Sequence, residues 1–496
     1  MYFQKTKKIK IWLMFILFFC LAVILFFYKK NIKKNNIDRL CLNFTSEEQI
    51  CLYENVLFYD KTNDIYYFPL SRALRDKEYY FTVDKDENKQ YYINNELLKP
   101  KTYKLDFENS FNYKIINDKT ELLNISIKFI NLPIINIKTN DNIYDAYKNV
   151  SIEIFSIDEF YTKNATIKLR GLTSRTFAKN PYKIEFKTNN SKKSKILLDE
   201  NEDWALDALY SDPSKIRNKL STDIWNYINS TNEMSVLFIE LFINNEYQGL
   251  YTIKEMITRK KLNLEQLSAN GSGILIKGIN YYPIDWNSKE FNIHSNIYNS
   301  LEMKYPNEQI SYSKYWSIFL SKLANYYKTQ VNSLNIIQKT FDIDNYLNYK
   351  IFVELISGND NNYTKNCYFS MKNKNSNIIK TPWDMDLTFG LYFHEYQPLL
   401  SEKNYTLVSS PVDNNNFTGN EAYLKALKER YFYLRRNGLS KEYIFNLIDD
   451  YVEDIYYASL RDSNRWYEYD IIKETEEIKE WVSKRFDYLD KKFKGL

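Results

Sequence analysis

Two stretches late in the chain hold residues able to carry group transfer. They are "SGNDNNYTKNCYFSMKN", 357 to 373, and "IIKTPWDMDLTFG", 378 to 390. Asp360 stands in a polar loop after a helix-like run, and Asn366 opens a strand-like run. Asp384 and Asp386 follow the next such run, among Trp383, Met385, Leu387 and Phe389. A carboxylate in apolar surroundings costs several kcal/mol unless it is hydrogen-bonded, paired or bound to a metal. Hard cations such as Mg²⁺ take oxygen ligands, usually one or two carboxylates completed by phosphate oxygens. A loop Asp, an Asn a few residues on and an Asp after a short hairpin have the disposition of a phosphoryl-transfer site. In that reading Asp360 accepts the proton of the substrate hydroxyl, and Asn366 and the later Asp hold Mg²⁺ (or Mn²⁺). The plainer alternative is a strand end with two solvated or capped aspartates, and a motif this short does not exclude it.

Phosphates also need cations. "LRGLTSRTFAKNPYKIEF", 169 to 186, reads as a strand, a turn at Gly171 and a second strand bearing Lys183. Arg170, Ser174 and Lys183 are the expected nucleotide contacts, with Lys179 and Lys187 as rivals for the lysine role. Glu255, after "QGLYTIK", is the expected ion-pair partner that orients the lysine. Against this stands an ordinary hairpin with exposed lysines and a surface Glu. Protein kinases place their catalytic-loop Asp and Asn five positions apart; here 360 and 366 are six apart, and no Asp-Phe-Gly follows.

These residues need elements to position them. "NPYKIEFKT" alternates, with Tyr182, Ile184 and Phe186 on one face, as a half-buried strand does. "DPSKIRNKLSTDIWNYI", 212 to 228, carries an Asp-Pro start and helix-period Ile216, Leu220, Ile224 and Tyr227. "SVLFIELFINNEYQGLYTIKEMI", 235 to 257, reads as a hairpin turning at Asn-Asn. Apolar stripes at Ile444, Leu447, Ile448, Val452 and Ile455, and from Ile478 to Phe493, predict two long C-terminal helices.

The 496-residue chain has a net charge of only +5, which announces no nucleic-acid surface. Two histidines, His294 and His394, are too few for a His-based triad or a multi-histidine metal site. "IWLMFILFFCLAVILFFY", 11 to 28, is uncharged and would span about 27 Å as a helix, enough for a single membrane anchor. Lysines on both flanks leave its orientation open. The expected divisions are a tail and anchor at 1–30, a stalk and small β module at 31–127, and a catalytic domain at 128–496. Cys41 and Cys51 are close enough in sequence to pair outside the cytosol, or else remain reduced thiols.

Taken in order, "LPIINIKT", "LRGLTSRTFAKNPYKIEF", "DWALDALYSDPSKIRNKLSTDIWN", "LFINNEYQGLYTIKEMI", "NDNNYTKNCYFSMKN" and "TPWDMDLTFG" resemble the spore-coat CotH family of atypical kinases, over about 130 to 495. The resemblance implies an α+β, protein-kinase-like fold with a β-rich N-lobe and a helical C-lobe. It implies transfer of phosphate from ATP to Ser (or Thr) of partner proteins. It assigns Asp360 as catalytic-loop Asp, Asp384 as metal ligand assisted by Asn366 and Asp386, and Lys183 with Glu255 as the nucleotide lysine and its partner. Two other functions compete. One is a membrane-anchored scaffold or adhesin that keeps the fold without catalysis. The other is a carboxylate metal phosphodiesterase, which would need more clustered ligands.

Overall fold

The computed structural model describes residues 57–496, apart from 71–77, 84–88, 99–101, 188–202, 281–295, 394–400, 404–416 and several shorter breaks. Before residue 57 it describes only strand backbones at 40–44 and 49–51, which pair with Cys41 opposite Cys51. The expected anchor at 11–28 and both histidines lie outside the described residues. Among the described residues no helix is long and apolar enough to cross a membrane.

The N-terminal module is built on a six-stranded sheet in which Thr120–Ile130 lies at the centre, parallel to Ile65–Pro69 and antiparallel to Phe111–Asn117. Its alternating residues Leu123, Ile125, Ile127 and Phe129 are buried. Thr120–Ile130 runs across the division expected at 127 and leads directly into the next unit.

That unit is a closed seven-stranded barrel. Its strands are β1 (Ile134–Lys138), β2 (Lys148–Phe155), β3 (Phe160–Leu169), β4 (Tyr182–Phe186), β5 (Asp203–Asp207), β6 (Val236–Ile243) and β7 (Glu246–Glu255). The order is β1-β2-β3-β4-β5-β7-β6, closed by parallel pairing of β6 with β1. Period-two alternation puts Ile184, Trp204, Leu206 and Ile253 in the barrel core. Cross-strand partners share a face, so Lys183, Ala205 and Lys254 lie in one row on the opposite, outer face. The β6–β7 turn is the Asn244-Asn245 pair, with φ of 53° and 64°, the geometry that two-residue hairpin turns demand.

The rest is mixed. Helix α1 (Arg217–Ile228) is followed by β8 (Ile274–Gly278), β9 (Ile297–Tyr298), β10 (Leu301–Tyr305), α2 (Gln309–Lys328), α3 (Leu334–Thr340) and α4 (Ile343–Ile356). Then come β11 (Cys367–Met371), β12 (Ile379–Pro382), α5 (Glu421–Arg436), α6 (Lys441–Arg465) and α7 (Ile471–Lys494). The sheet runs β9-β10-β8-β11-β12. Thus the described residues form an α+β fold with seven α-helices. Asp342, Asn420, Ser440 and Asp470 cap α4, α5, α6 and α7 through their side chains, satisfying amides that the first turn leaves open. Ile478, Trp481, Val482, Phe486, Leu489 and Phe493 are all buried on α7, and Ile444, Ile448 and Ile455 on α6. Burying each such side chain stabilises by about 1.5–3 kcal/mol.

Helix α6 joins the two halves. Its first turns pack in the helical core, while Arg461 and Asp462 reach Glu240 and the Leu250 amide of the barrel. The N-terminal module braces the same junction. Phe58 packs on Phe155 and Phe242 of the barrel, and Phe107 stacks on Tyr457 of α6.

Candidate active site

The β11–β12 hairpin ends in a tight corner. Cys367 pairs with Pro382, and the residues just beyond, Asn366 and Asp384, are both left-handed, with φ of 51° and 58°. Asn and Asp tolerate this region far better than other side-chain-bearing residues. The Trp383 amide donates to the Asn366 carbonyl at 2.9 Å, closing the corner. Buried Asn361, in the short helical turn Asn359–Asn361, donates its amide to the carbonyls of Asn366 and Trp383, each at 2.8 Å. Tyr349 of α4 donates to the Asn361 carbonyl at 2.6 Å. The loop bearing Asp360 and the segment bearing Asp384 are therefore fastened together by one buried side chain.

The carboxylates converge here. Asn366 donates its amide to Asp360 Oδ2 at 3.4 Å and to the Asp384 carbonyl at 3.3 Å. Lys365 donates to Asp360 Oδ2 at 2.9 Å. Ser211 donates to Asp386 Oδ2 at 3.1 Å. Asp384 lines a narrow crevice with Lys254, Glu255 and Trp383, and its side chain keeps 45% exposure, so a ligand can reach it. Burial alone would push its carboxyl up, but Lys254, Arg170, Lys277 and Lys365 together hold it below the usual carboxylate range. Asp386 goes the other way: burial and the charge of Asp384 push it up to about 7. Two neighbouring carboxylates repel each other when both are ionised, and a bound cation would relieve that repulsion. With the Asn366 amide they offer oxygen donors only. Among the described residues no three acidic, His or Cys groups form a preformed cage. The set therefore fits a hard divalent ion that completes its shell from phosphate and water.

The barrel wall supplies the cations. Arg170, just before Gly171, pairs with Asp207 of β5. Lys254 of β7 reaches the same carboxylate at 2.5 Å and Asp384 at 3.9 Å. Asn218 of α1 donates to Asp207 at 3.0 Å. Lys254 and Arg170 both lie over the Trp383 ring, at 4.3 and 5.8 Å from its centroid. Helix α1 is locked to the acidic segment as well. Asp212 accepts from the backbone amides of Ser214 and Arg217 at its start, and the buried Arg217 guanidinium reaches the Thr388 carbonyl at 3.0 Å.

The structure thus brings together Asp360, Asn366, Asp384, Asp386 and Arg170. It does not bring Lys183 to them. Lys183 is bound to Glu185 at 2.6 Å and Asp203 at 3.0 Å. It shares the outer face with Lys254, but two strand spacings away, about 10 Å. The lysine beside Asp384 is Lys254. Neither rival of Lys183 takes its place. Lys179 is sealed behind the barrel against Asp462 at 2.5 Å, and Lys187 donates to Asn149 at 2.7 Å. Glu255 pairs with Lys261 at 2.5 Å, not with Lys183, although it borders a narrow crevice shared with Lys254, Trp383 and Asp384. Ser174 sits in a short turn folded back over Gly171, whose φ is +85°, and contributes no contact to the carboxylate cluster. Lys254, Asp207, Lys277 and Lys365 escaped the reading of the sequence. Alternation with the buried Ile253 turns Lys254 out of the barrel, but Lys183 is turned out in the same way, so no local signal separates the two.

A protein-family model described as CotH kinase protein matches residues 167–489, a span containing every residue of this cluster. No curated protein matches the chain. The match covers well over half of the sequence and begins in β3, and on that basis the chain belongs to the CotH kinase family.

Proposed function

We propose that this chain is an atypical protein kinase that uses ATP with Mg²⁺ (or Mn²⁺) and phosphorylates Ser or Thr of surface or spore-coat proteins. In this reading the barrel and the helical half act as the two lobes of a kinase-like fold, with the cleft between them. The observation that carries it is the Asn366 amide touching both Asp360 and the Asp384 backbone: an acceptor-side carboxylate and a metal-side carboxylate share one corner. Asp384 and Asp386, helped by Asn366, hold the metal, which neutralises and orients the phosphates when bound. Arg170 and Lys254 line the same cleft and bind the phosphates from the barrel side. Asp360 orients the acceptor hydroxyl and receives its proton. Trp383 limits water at the corner and so strengthens these interactions. An N-terminal anchor at 11–28 would hold the enzyme at a membrane beside its protein substrate.

Transfer of labelled γ-phosphate to casein or to the protein's own serines tests this directly. Metal-dependent transfer is expected. Tight, metal-dependent ATP binding with no transfer to any acceptor would instead favour a scaffold that keeps the fold.

A further inference from the structure

We propose that Lys365 is a catalytic residue whose ammonium meets the phosphoryl group in flight between nucleotide and acceptor; this rests on the kinase reading above. The cations of the cleft divide by what they hold. Arg170 and Lys254 are both engaged by Asp207 on the barrel wall. Lys277 is largely buried on β8, and burial drives its ammonium below the usual lysine range. Lys365 stands on the opposite side, 2.9 Å from Asp360, with its side chain 27% exposed. The adjoining Asn366 donates to Asp360 Oδ2 at 3.4 Å and to the Asp384 carbonyl at 3.3 Å, which sets Lys365 beside the corner that carries Asp384. It therefore lies within electrostatic reach of the carboxylate assigned to the acceptor and of the carboxylate assigned to the metal. Any group passing from one to the other moves through its field.

Its backbone is also preset. Lys365 precedes left-handed Asn366, whose carbonyl is clamped by Asn361 and by the Trp383 amide. Little reorganisation is then needed when charge develops nearby, the condition under which a fixed cation is most effective.

In the step, the acceptor hydroxyl oxygen forms a bond to the γ-phosphorus of a nucleoside triphosphate. The bond from that phosphorus to the β–γ bridging oxygen breaks, and its electron pair leaves on the nucleoside diphosphate. The hydroxyl proton passes to Asp360. Negative charge on the equatorial oxygens of the transferring group is met by Lys365 on the acceptor side. Without it, the carboxylate of Asp360 would face an anionic group with no ammonium from its own loop between them.

The alternative is that Lys365 merely quenches Asp360 or pins its loop. Lys365→Met and Lys365→Arg in the full chain separate these roles, by measuring kcat, the Kd for ATP with Mg²⁺, and Tm. We expect Lys365→Met to lower kcat about 100-fold, the usual loss of one preorganised charge-stabilising donor. ATP affinity should stay within about threefold and Tm should be nearly unchanged, since this pair is partly solvated. Arg keeps the charge and should restore part of kcat. Unchanged or raised turnover in Lys365→Met overturns the proposal. So does a fall in kcat matched by an equal fall in ATP affinity, or a lowered Tm that Arg does not rescue. A wild type that transfers no phosphate defeats the kinase reading itself, and this inference with it. An active wild type with an equally active Lys365→Met defeats only the inference.

Discussion

Behind the barrel, Asp462 of α6 is completely enclosed. It takes Lys179 at 2.5 Å, the Leu250 amide at 2.9 Å and the Tyr469 hydroxyl at 3.1 Å, with Lys215 at 3.8 Å. Gly249 is packed so closely that a Cβ there would lie 2.2 Å from its carboxylate. In the cleft, Asp384 keeps 45% side-chain exposure, and among the described residues its nearest cation, Lys254, stands off at 3.9 Å. Its neighbour Asp386 is pushed up to about 7. Both clusters set aspartates against lysines. One is closed and saturated, as a device that holds two parts of a fold together must be. The other is open and has unused donor capacity, which is what a ligand requires.

The sharpest way to break this comparison is to remove a carboxylate from the open cluster. Asp384→Asn should abolish both transfer and the rise in Tm that ATP with Mg²⁺ produces. Asp360→Asn should bind ATP nearly normally and lose about 10²- to 10⁴-fold in turnover, the usual range for a general base. Transfer assays beside thermal shifts check both. Equal activity in wild type and Asp360→Asn would reduce that residue to a loop position.

Removing the closed cluster's carboxylate should have the opposite signature. Asp462→Ala leaves Lys179 and Lys215 buried without their counter-charge, and should destabilise by about 3–5 kcal/mol. Denaturant unfolding measures this. ATP affinity of the molecules that remain folded should be unaltered.

A smaller effect separates two lysines on one barrel face. Lys254→Met should weaken ATP binding about tenfold, by loss of one charge-assisted contact. Lys183→Met should change it little, because that ammonium serves Glu185 and Asp203. Calorimetric titration of the two variants decides which lysine serves the nucleotide; the reverse ranking would return the role to Lys183.

The last effect is one of pH. Burial lowers the Lys215 ammonium to about 7, against the opposing pull of Asp462, Asp212 and Glu474 and with the added push of Lys179. Its folded pKa then lies below its unfolded one, near 10.5. Between about pH 7 and 10 the unfolded chain binds more protons, so this group makes stability rise with pH. The slope is at most about 1.4 kcal/mol per pH unit, and Lys215→Met should remove it from unfolding curves.

Local patterns made much of the fold readable. The alternation in β4, the Asn-Asn hairpin and the stripe of α7 each follow from side-chain periods within one segment. Asp360, Asn366, Asp384 and Asp386 were readable because oxygen-bearing side chains stand at both ends of one hairpin, the first two before it and the last two after it. The cationic half of the cleft was not. Which lysine faces Asp384 depends on how β4, β5 and β7 pair, and cross-strand register leaves no local period. Lys183 and Lys254 occupy equivalent outward positions on their strands, and only the register separates them. Asp207, which holds Arg170 and Lys254 together, lies in a strand whose pattern "DWALD" gives no hint of either partner.

In the kinase reading, the left-handed backbone at Asp384 limits how a descendant of this chain would lose the proposed activity by drift. With φ at 58°, the position accepts Asp, Asn or Gly with little strain, whereas β-branched or bulky residues are resisted. Drift to Asn or Gly would keep the corner and erase the charge, producing an intact but silent lineage. Drift to Val or Leu would disturb the corner itself. Dead relatives that persist should therefore carry Asn or Gly here, beside an unchanged tryptophan.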